Sequence, residues 1–557
     1  MHPNTGASNH NFISFFRYCL SDAINMKQLR NLAFLFVCLF TNSQLLEAQQ
    51  DALPATITWN EETTSPGNTV MEGVIATYNG GIYTLRRRYG TGFTKAAAFV
   101  EWHDKSLKMK RSQELDLKYE GKIRDFERVI LLKGQLYFFT SFANQAKKKN
   151  YLFYQTLNER LIPSKKLVKI SEVDAINKER KGAFSIEPSR DSSKVLIYAQ
   201  LPYQRKEPER FSLQVFNDSL QLLWQREIVL PYADNLFSVE EYRVDNQGNV
   251  YLLGVRYKDG AGFRRRGTPD YQYVILAYTQ DGGDVKTYEV DNNNYFLTDM
   301  TFRIADNGHL ICAGFYSNKS TYSIKGACFF RIDPHGYKIY EQNFKPFDFD
   351  FLTEHLSEGA KERARRASES GNSRREPELY QVKLDELILR SDGGAVLVAE
   401  QYYVQEYIYR FWDGTLRYDY YYNYYDIIVV NIRPDGEIEW TARIPKRQET
   451  VNDDGYFSSY AMTVVRDRFY FIYNDNARNL APAEDRPRTV QRFNGKQSVI
   501  ALAEISKDGS MRTWPLYSNR DADIITRPKA CRQIGSRKMA VYGESGRRFR
   551  FATLQFQ

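Results

Sequence analysis

One short pattern recurs along the chain. A turn carrying Gly, Asn, Asp or a basic residue leads into an alternating apolar run that usually holds an aromatic ring. It is read at Gly81-Ile82-Tyr83-Thr84-Leu85, Gly134-Gln135-Leu136-Tyr137-Phe138, Lys194-Val195-Leu196-Ile197-Tyr198, Gly248-Asn249-Val250-Tyr251-Leu252, Gly308-His309-Leu310-Ile311, Gly394-Ala395-Val396-Leu397, Arg468-Phe469-Tyr470-Phe471 and Lys538-Met539-Ala540-Val541. Alternation with period two sets one face of each segment against a core, so each is read as a strand. Between these segments lies a second unit, an apolar strand, a tight turn and another strand, as in 328–336, 428–436 and 500–509. There Asp-Gly and Pro-Asp-Gly supply the backbone conformations a hairpin needs. Each repeat therefore predicts an inner strand, a second strand, a loop of variable length, a third strand, a tight turn and an outer strand.

This pattern predicts an all-β protein: a single closed β-propeller of about eight four-stranded blades, with seven as the alternative count. Outer strands carry Trp224, Trp440 and Trp514, whereas the last repeat ends on a third strand, Phe549 to Phe556. Ala55-Thr56-Ile57-Thr58-Trp59 has the character of the missing outer strand. Pairing it with the last blade joins the two ends and leaves no free sheet edge. The segment Asp245-Asn246-Gln247-Gly248-Asn249-Val250-Tyr251 and the hairpin from Ile428 to Trp440 resemble the D-x-x-G-N-V-Y repeats of secreted bacterial β-propeller proteins. The resemblance implies a propeller fold and placement outside the cytoplasm. It carries over no catalytic residue, because structural turns define the family.

Composition agrees with strands. Aromatic residues make up 15% of the 557 residues and include 40 tyrosines, which suit a pleated, half-buried surface. Near the start, Met26-Lys27-Gln28-Leu29-Arg30 forms a basic segment, Leu32 to Phe40 is apolar, and Leu46-Glu47-Ala48 ends on a small residue. These are the parts of an export signal cut near Ala48, too short to anchor in a bilayer. Residues 1–25 then read as an upstream extension, 26–48 as the signal peptide and 49–557 as the propeller, with insertion loops at 355–378, 402–425 and 473–496. The predicted location is the periplasm, the cell surface or the medium, and no later segment reads as transmembrane. Of five cysteines, Cys19 and Cys38 fall before the cut. Cys312 and Cys328 fall on neighbouring strands, where a bridge and two buried thiols both remain open.

Charge adds the candidate surface. In a propeller the loops between second and third strands emerge on one face. Their summed formal charge exceeds the +9 of the whole chain, so the remainder is net acidic. The contributing clusters are Arg86-Arg87-Arg88, Lys147-Lys148-Lys149 and Arg264-Arg265-Arg266. Such a face concentrates and steers anions. The sixth loop differs: Tyr402, Tyr403, Tyr407, Tyr409, Phe411 and Trp412 lead to Asp413-Gly414, and Tyr418, Tyr420, Tyr421, Tyr422, Tyr424 and Tyr425 lead back. It is read as a long hairpin standing out of the ring, its rings suited to interfaces and to stacking on sugars. The candidate binding residues on it are Tyr407, Tyr409, Trp412, Tyr420 and Tyr422. Residues 355–378 are charged and poor in large apolar groups, and read as a mobile insertion with a helical turn or two.

The histidines show no metal-ligand spacing, and no nucleophile elbow, phosphate loop or zinc-type cysteine pair is present. The expectation is a monomeric, non-catalytic binding or scaffold propeller without cofactor or metal. Its partner would be an anionic polysaccharide or an acidic protein surface, and not nucleic acid, which fits the charge but not the address. The alternative is a secreted carbohydrate-active enzyme, a lyase or glycosidase, with its site at the ring mouth.

Overall fold

The computed structural model describes residues 52–557 apart from 91–94, 203–206, 259–268, 281–282, 337, 355, 372–374, 483–484, 486 and 488. The described chain is all-β. Sheet I is an antiparallel meander of Val70–Tyr78, Gly81–Arg88, Ala97–His103 and Met109–Leu115. Sheets II to V repeat it over 125–174, 183–233, 237–289 and 296–346, sheet VI over 382–444 and sheet VII over 460–518. Sheet VIII has Arg532–Gly535, Lys538–Ser545 and Arg548–Phe556 as its first three strands. Its fourth comes from the other end of the described chain, Ala55–Trp59, paired antiparallel from Ala55↔Phe556 to Trp59↔Ala552. Tight turns join the first and second strands of each meander, as adjacent antiparallel strands allow, whereas longer connections such as 476–498 in sheet VII give the repeat its variable spacing.

The core lies between sheets. One apolar cluster joins Tyr251, Ile275 and Tyr288 of sheet IV to Phe302, Cys312 and Phe330 of sheet V. Similar clusters span V and VI, III and IV, II and III, VI and VII, and I and II. A further one unites the two ends of the described chain, with Met71, Val74 and Ile82 of sheet I against Tyr542, Phe549 and Phe551 of sheet VIII. Both faces of a sheet are thus covered, and central strands such as Leu310–Ser317 are buried throughout. That is why they read as near-continuous apolar runs.

Polar contacts follow the same succession. Arg87 lies 4.6 Å over the Phe126 ring between sheets I and II. Arg128 pairs with Glu187 at 2.6 Å between II and III, and Tyr198 stacks on Tyr242 at 4.4 Å between III and IV. The Thr301 hydroxyl donates to Glu241 at 2.6 Å between IV and V, and the Leu384 amide donates to Asp299 at 2.9 Å between V and VI. The Tyr460 hydroxyl donates to Asp385 at 2.8 Å between VI and VII, and Gln533 donates to the Val464 carbonyl at 3.0 Å between VII and VIII. Finally Arg532 of sheet VIII donates to the Val74 carbonyl of sheet I at 2.7 Å. Most of these residues sit on the first strand of their sheet.

The structure decides between readings that the sequence left open and departs from it at one insertion. Cys312 and Cys328 are free and buried, and burial pushes both thiols up. They are not cross-strand partners: Cys312 faces Phe330 and Cys328 faces Gly314. Between sheets V and VI, α1 (Phe349–Thr353) precedes the segment 355–378 that reads as a mobile charged insertion, and α2 (Glu358–Glu369) runs through the first part of that segment. The α2 sequence is rich in Ala, Glu and Arg, all good helix formers, and Glu362 pairs with Arg366 one turn on at 3.0 Å. Ala364 and Ala367 bury its inner side where larger groups are absent. Residues 402–425 form the long hairpin that the sequence predicts, as the outward continuation of two sheet VI strands, Ala395–Arg410 and Leu416–Ile432. Among the described residues no helix is long and apolar enough to cross a membrane.

Candidate binding surface

The sheet VI hairpin is paired from Ala395↔Ile432 out to Arg410↔Leu416. The short strand Gln448–Val451 accompanies its outer part along 421–424, and Asn452 and Asp454 bond to it beyond that strand. From Tyr403 to Arg410 the strands run about 25 Å at the usual rise per residue. Rings face each other across it, Tyr402 with Tyr424 at 4.4 Å, Tyr403 with Tyr425 at 5.7 Å and Tyr407 with Tyr421 at 5.1 Å. Tyr407, Ile408, Tyr409, Phe411, Leu416, Tyr418 and Tyr420 are exposed, and Trp412 at the turn is 99% exposed. Tyr422 is held differently. Its hydroxyl donates to Asp454 at 2.6 Å, and that bond pushes its pKa up to about 12.

The basic clusters do not behave as one set. Arg86 is not a loop residue: it lies in a strand and is fully buried, its Nε 3.0 Å from Glu101. Arg87 is half-buried against Tyr89 and Phe126. Arg88 donates to the Lys95 carbonyl at 3.0 Å and lies 3.5 Å from Glu114. Alternation explains the split, since successive side chains of a strand point to opposite faces. Lys147 and Lys148 are exposed, whereas Lys149 pairs with Asp174 at 2.8 Å. Arg264, Arg265 and Arg266 lie outside the described residues.

At the foot of the hairpin the structure assembles a group that the sequence reading missed. The Lys446 ammonium lies 2.6 Å from Glu400, both side chains buried, and Ser459 donates to the other Glu400 oxygen at 2.8 Å. Asp385 takes the Tyr460 hydroxyl bond already described. Burial first, and then the nearby Glu400 charge, push Asp385 up to about 7. Lys529 and Arg527 flank Pro528 in the turn leading into sheet VIII. Lys529 donates to the Tyr424 hydroxyl at 2.8 Å and stands 4.5 Å over that ring. Arg527 stacks 4.0 Å over Tyr456 and donates to the Met71 carbonyl and, at 3.3 Å, to the Tyr456 hydroxyl. Asp385 and Lys529 are exposed, yet burial dominates both shifts and lowers the Lys529 pKa. Water reaches them while protein encloses them, as in a recess.

The recess draws on sheets I, VI, VII and VIII and on the connections between them, so no local window of sequence contains it. One signal was legible: Asp385, Asp299 and Glu240 interrupt inner strands with carboxylates where an apolar pattern prevails. Burial likewise pushes Asp299 up to about 6.

No protein-family model matches the chain, and no curated protein matches it. Among solved structures it is similar to the WD40 domain of SCAP from fission yeast, at 9% identity and a TM-score of 0.38, covering 90% of this chain and 95% of that one. It is similar to the β-propeller domain of the Trilobed protease from Pyrococcus furiosus, at 12% identity and a TM-score of 0.33, covering 82% and 98%. A Penicillium chrysogenum α-L-arabinanase has 12% identity and a TM-score of 0.32, covering 62% of this chain and 93% of that one. Likenesses this low leave function to be argued from the chain's own residues.

Proposed function

We propose that the eight sheets close into one ring, and that the protein is an exported, non-catalytic binding propeller holding an anionic glycan on the face from which the sheet VI hairpin projects. The return of contacts from sheet VIII to sheet I supports the ring, and the pairing of Ala55–Trp59 with the last strand removes an edge. The leader-like segment 26–48 supports export. The observation that carries the reading is the hairpin itself. Phe411, Trp412, Leu416 and the outer tyrosines stand in water together on one projecting element, where a partner-free protein would bury or replace them. Tyrosine and tryptophan offer flat apolar area with a polar tip, which suits sugar rings, and Lys147, Lys148 and Arg410 leave exposed positive charge to attract anions.

A glycan array run with the wild type and a Tyr409→Ala, Trp412→Ala variant tests this. Anionic glycans retained by the wild type, lost at high salt and lost by the variant are the expected result. Retention that salt and the variant leave unchanged removes the reading, and retention of acidic proteins alone replaces the glycan by a protein partner.

A second reading, a carbohydrate-active enzyme, is favoured by Asp385 alone. A carboxyl held near 7 beside a charged Glu400–Lys446 pair is poised for proton transfer near neutrality. Release of reducing ends or unsaturated products from uronate polymers, abolished by Asp385→Asn, would establish it.

A further inference from the structure

We propose that Lys529 and Arg527 form the carboxylate-binding centre of this surface, and that the ligand group they take is the carboxylate of a uronic acid. This rests on the anionic-glycan reading above and names the place and chemistry of recognition.

The argument starts from charge pairing. The buried cations of this region are neutralised: Lys446 by Glu400, and Arg86 by Glu101. No described carboxylate stands within ion-pairing distance of Lys529 or Arg527. Both instead cap tyrosine rings, Tyr424 and Tyr456, and both come from one short turn packed against sheets I, VII and VIII. That turn fixes them. Its backbone is tied by the Ala530 amide to the Arg527 carbonyl at 3.0 Å and by the Arg527 amide to the Tyr542 carbonyl at 2.9 Å. The hydrogen bonds of the Arg527 head all run through Nη1, so Nη2 keeps its donors, while Lys529 has spent one donor on a phenol oxygen. Two cations held in place with donors to spare, inside a partly desolvated recess, make an anion site whose interactions are stronger than those of exposed lysines.

The neighbours select the anion. Glu400 and Asp385 act on Lys529 across the recess, as does the positive Lys446. Tyr460 and Tyr424 line the same space with hydroxyls. A dianionic phosphate monoester close to the Glu400 carboxylate meets more repulsion than a monoanion does. The two oxygens of a carboxylate can each meet one of the two cations, and the tyrosine hydroxyls and the Asp385 carboxyl offer hydrogen bonds to the sugar's own hydroxyls. Tyr402 and Tyr424 begin the row of rings that leads out along the hairpin, so one oligosaccharide lying from recess to hairpin engages both regions.

The test uses the full chain and trigalacturonate, with its methyl ester as the uncharged counterpart. Calorimetric titration of the wild type, Lys529→Gln and Arg527→Gln is expected to show binding of the acid, preference over the ester, and at least a tenfold loss in each variant. Because a substitution in a packed turn can disturb folding, a second measurement uses the wild type alone. Reductive methylation should modify Lys529 readily, since its pKa lies below that of an ordinary lysine, and trigalacturonate should protect it while the ester does not. No binding of trigalacturonate, equal affinity in the well-folded variants, or no protection of Lys529 overturns the proposal. If the hairpin variant loses anionic glycans on the array while Lys529→Gln keeps trigalacturonate, the surface reading stands and this centre falls.

Discussion

Arg86 Nε lies 3.0 Å from Glu101 Oε1, with the two side chains 0% and 1% exposed. The guanidinium also sits 4.5 Å over the Phe549 ring and reaches the Tyr542 hydroxyl at 3.4 Å. The first described sheet therefore carries a buried charge pair exactly where the last sheet packs on it. Two charges removed from water are tolerated only while each has its partner. Arg86→Ala leaves Glu101 charged with only His103 and Thr84 beside it, and is expected to lower stability by about 3–5 kcal/mol. A thermal melt of the variant checks this, and an unchanged midpoint contradicts it.

Gly455 ties the turn after the Gln448–Val451 strand to the recess. Its φ is +60°, and a Cβ there would lie 2.3 Å from the Tyr424 ring. Gly455→Ala is expected to cost roughly 1–2 kcal/mol from the left-handed backbone alone, and more from displacing the ring under Lys529. The same variant should weaken trigalacturonate binding, which calorimetry reads directly.

The raised pKa of Asp385 has a definite sign. The native state keeps a proton at this site that the unfolded chain releases, between the ordinary value of 3.8 and about 7. Stability is therefore lost as pH rises through that window, and it is the charged carboxylate that is disfavoured. Asp385→Asn removes the effect, so the variant should melt above the wild type at pH 8 and by a smaller margin at pH 5. Asp299 and Asp475, each pushed up to about 6, titrate in the same direction and leave the variant some pH dependence. Calorimetric scans at the two pH values check the difference, and a wild type that gains stability from pH 5 to pH 8 relative to the variant contradicts it.

Trp412 makes the opposite case. At 99% exposure it has almost no packing to lose, so Trp412→Ala should change stability by less than about 0.5 kcal/mol. Equal melting midpoints are expected even where binding is lost.

Much of the architecture was legible because it is local. Gly248-Asn249-Val250 and its counterparts mark turns followed by strands, and the structure places a first-to-second strand turn at each. The role of Ala55–Trp59 followed from counting strands in the last repeat. Side-chain direction was less legible. Arg86, Arg87 and Arg88 are consecutive in sequence, but the strand turns the first inward and leaves the others partly outside. The helical segment 358–369 was underrated because its buried side uses alanine, which leaves no hydrophobic stripe to notice. The recess was invisible for a third reason. Asp385, Lys446, Tyr456 and Lys529 are far apart along the chain, and only the packing of sheets VI, VII, VIII and I brings them together.

Solution X-ray scattering from residues 49–557 tests the account most directly, because a shared binding face exists only if the sheets form a ring. A closed ring of this length predicts a radius of gyration of about 23 Å and a single-peaked, compact distance distribution. A markedly larger radius with a long tail of distances would mean an open stack of sheets, and would contradict both the ring and the common surface built on it.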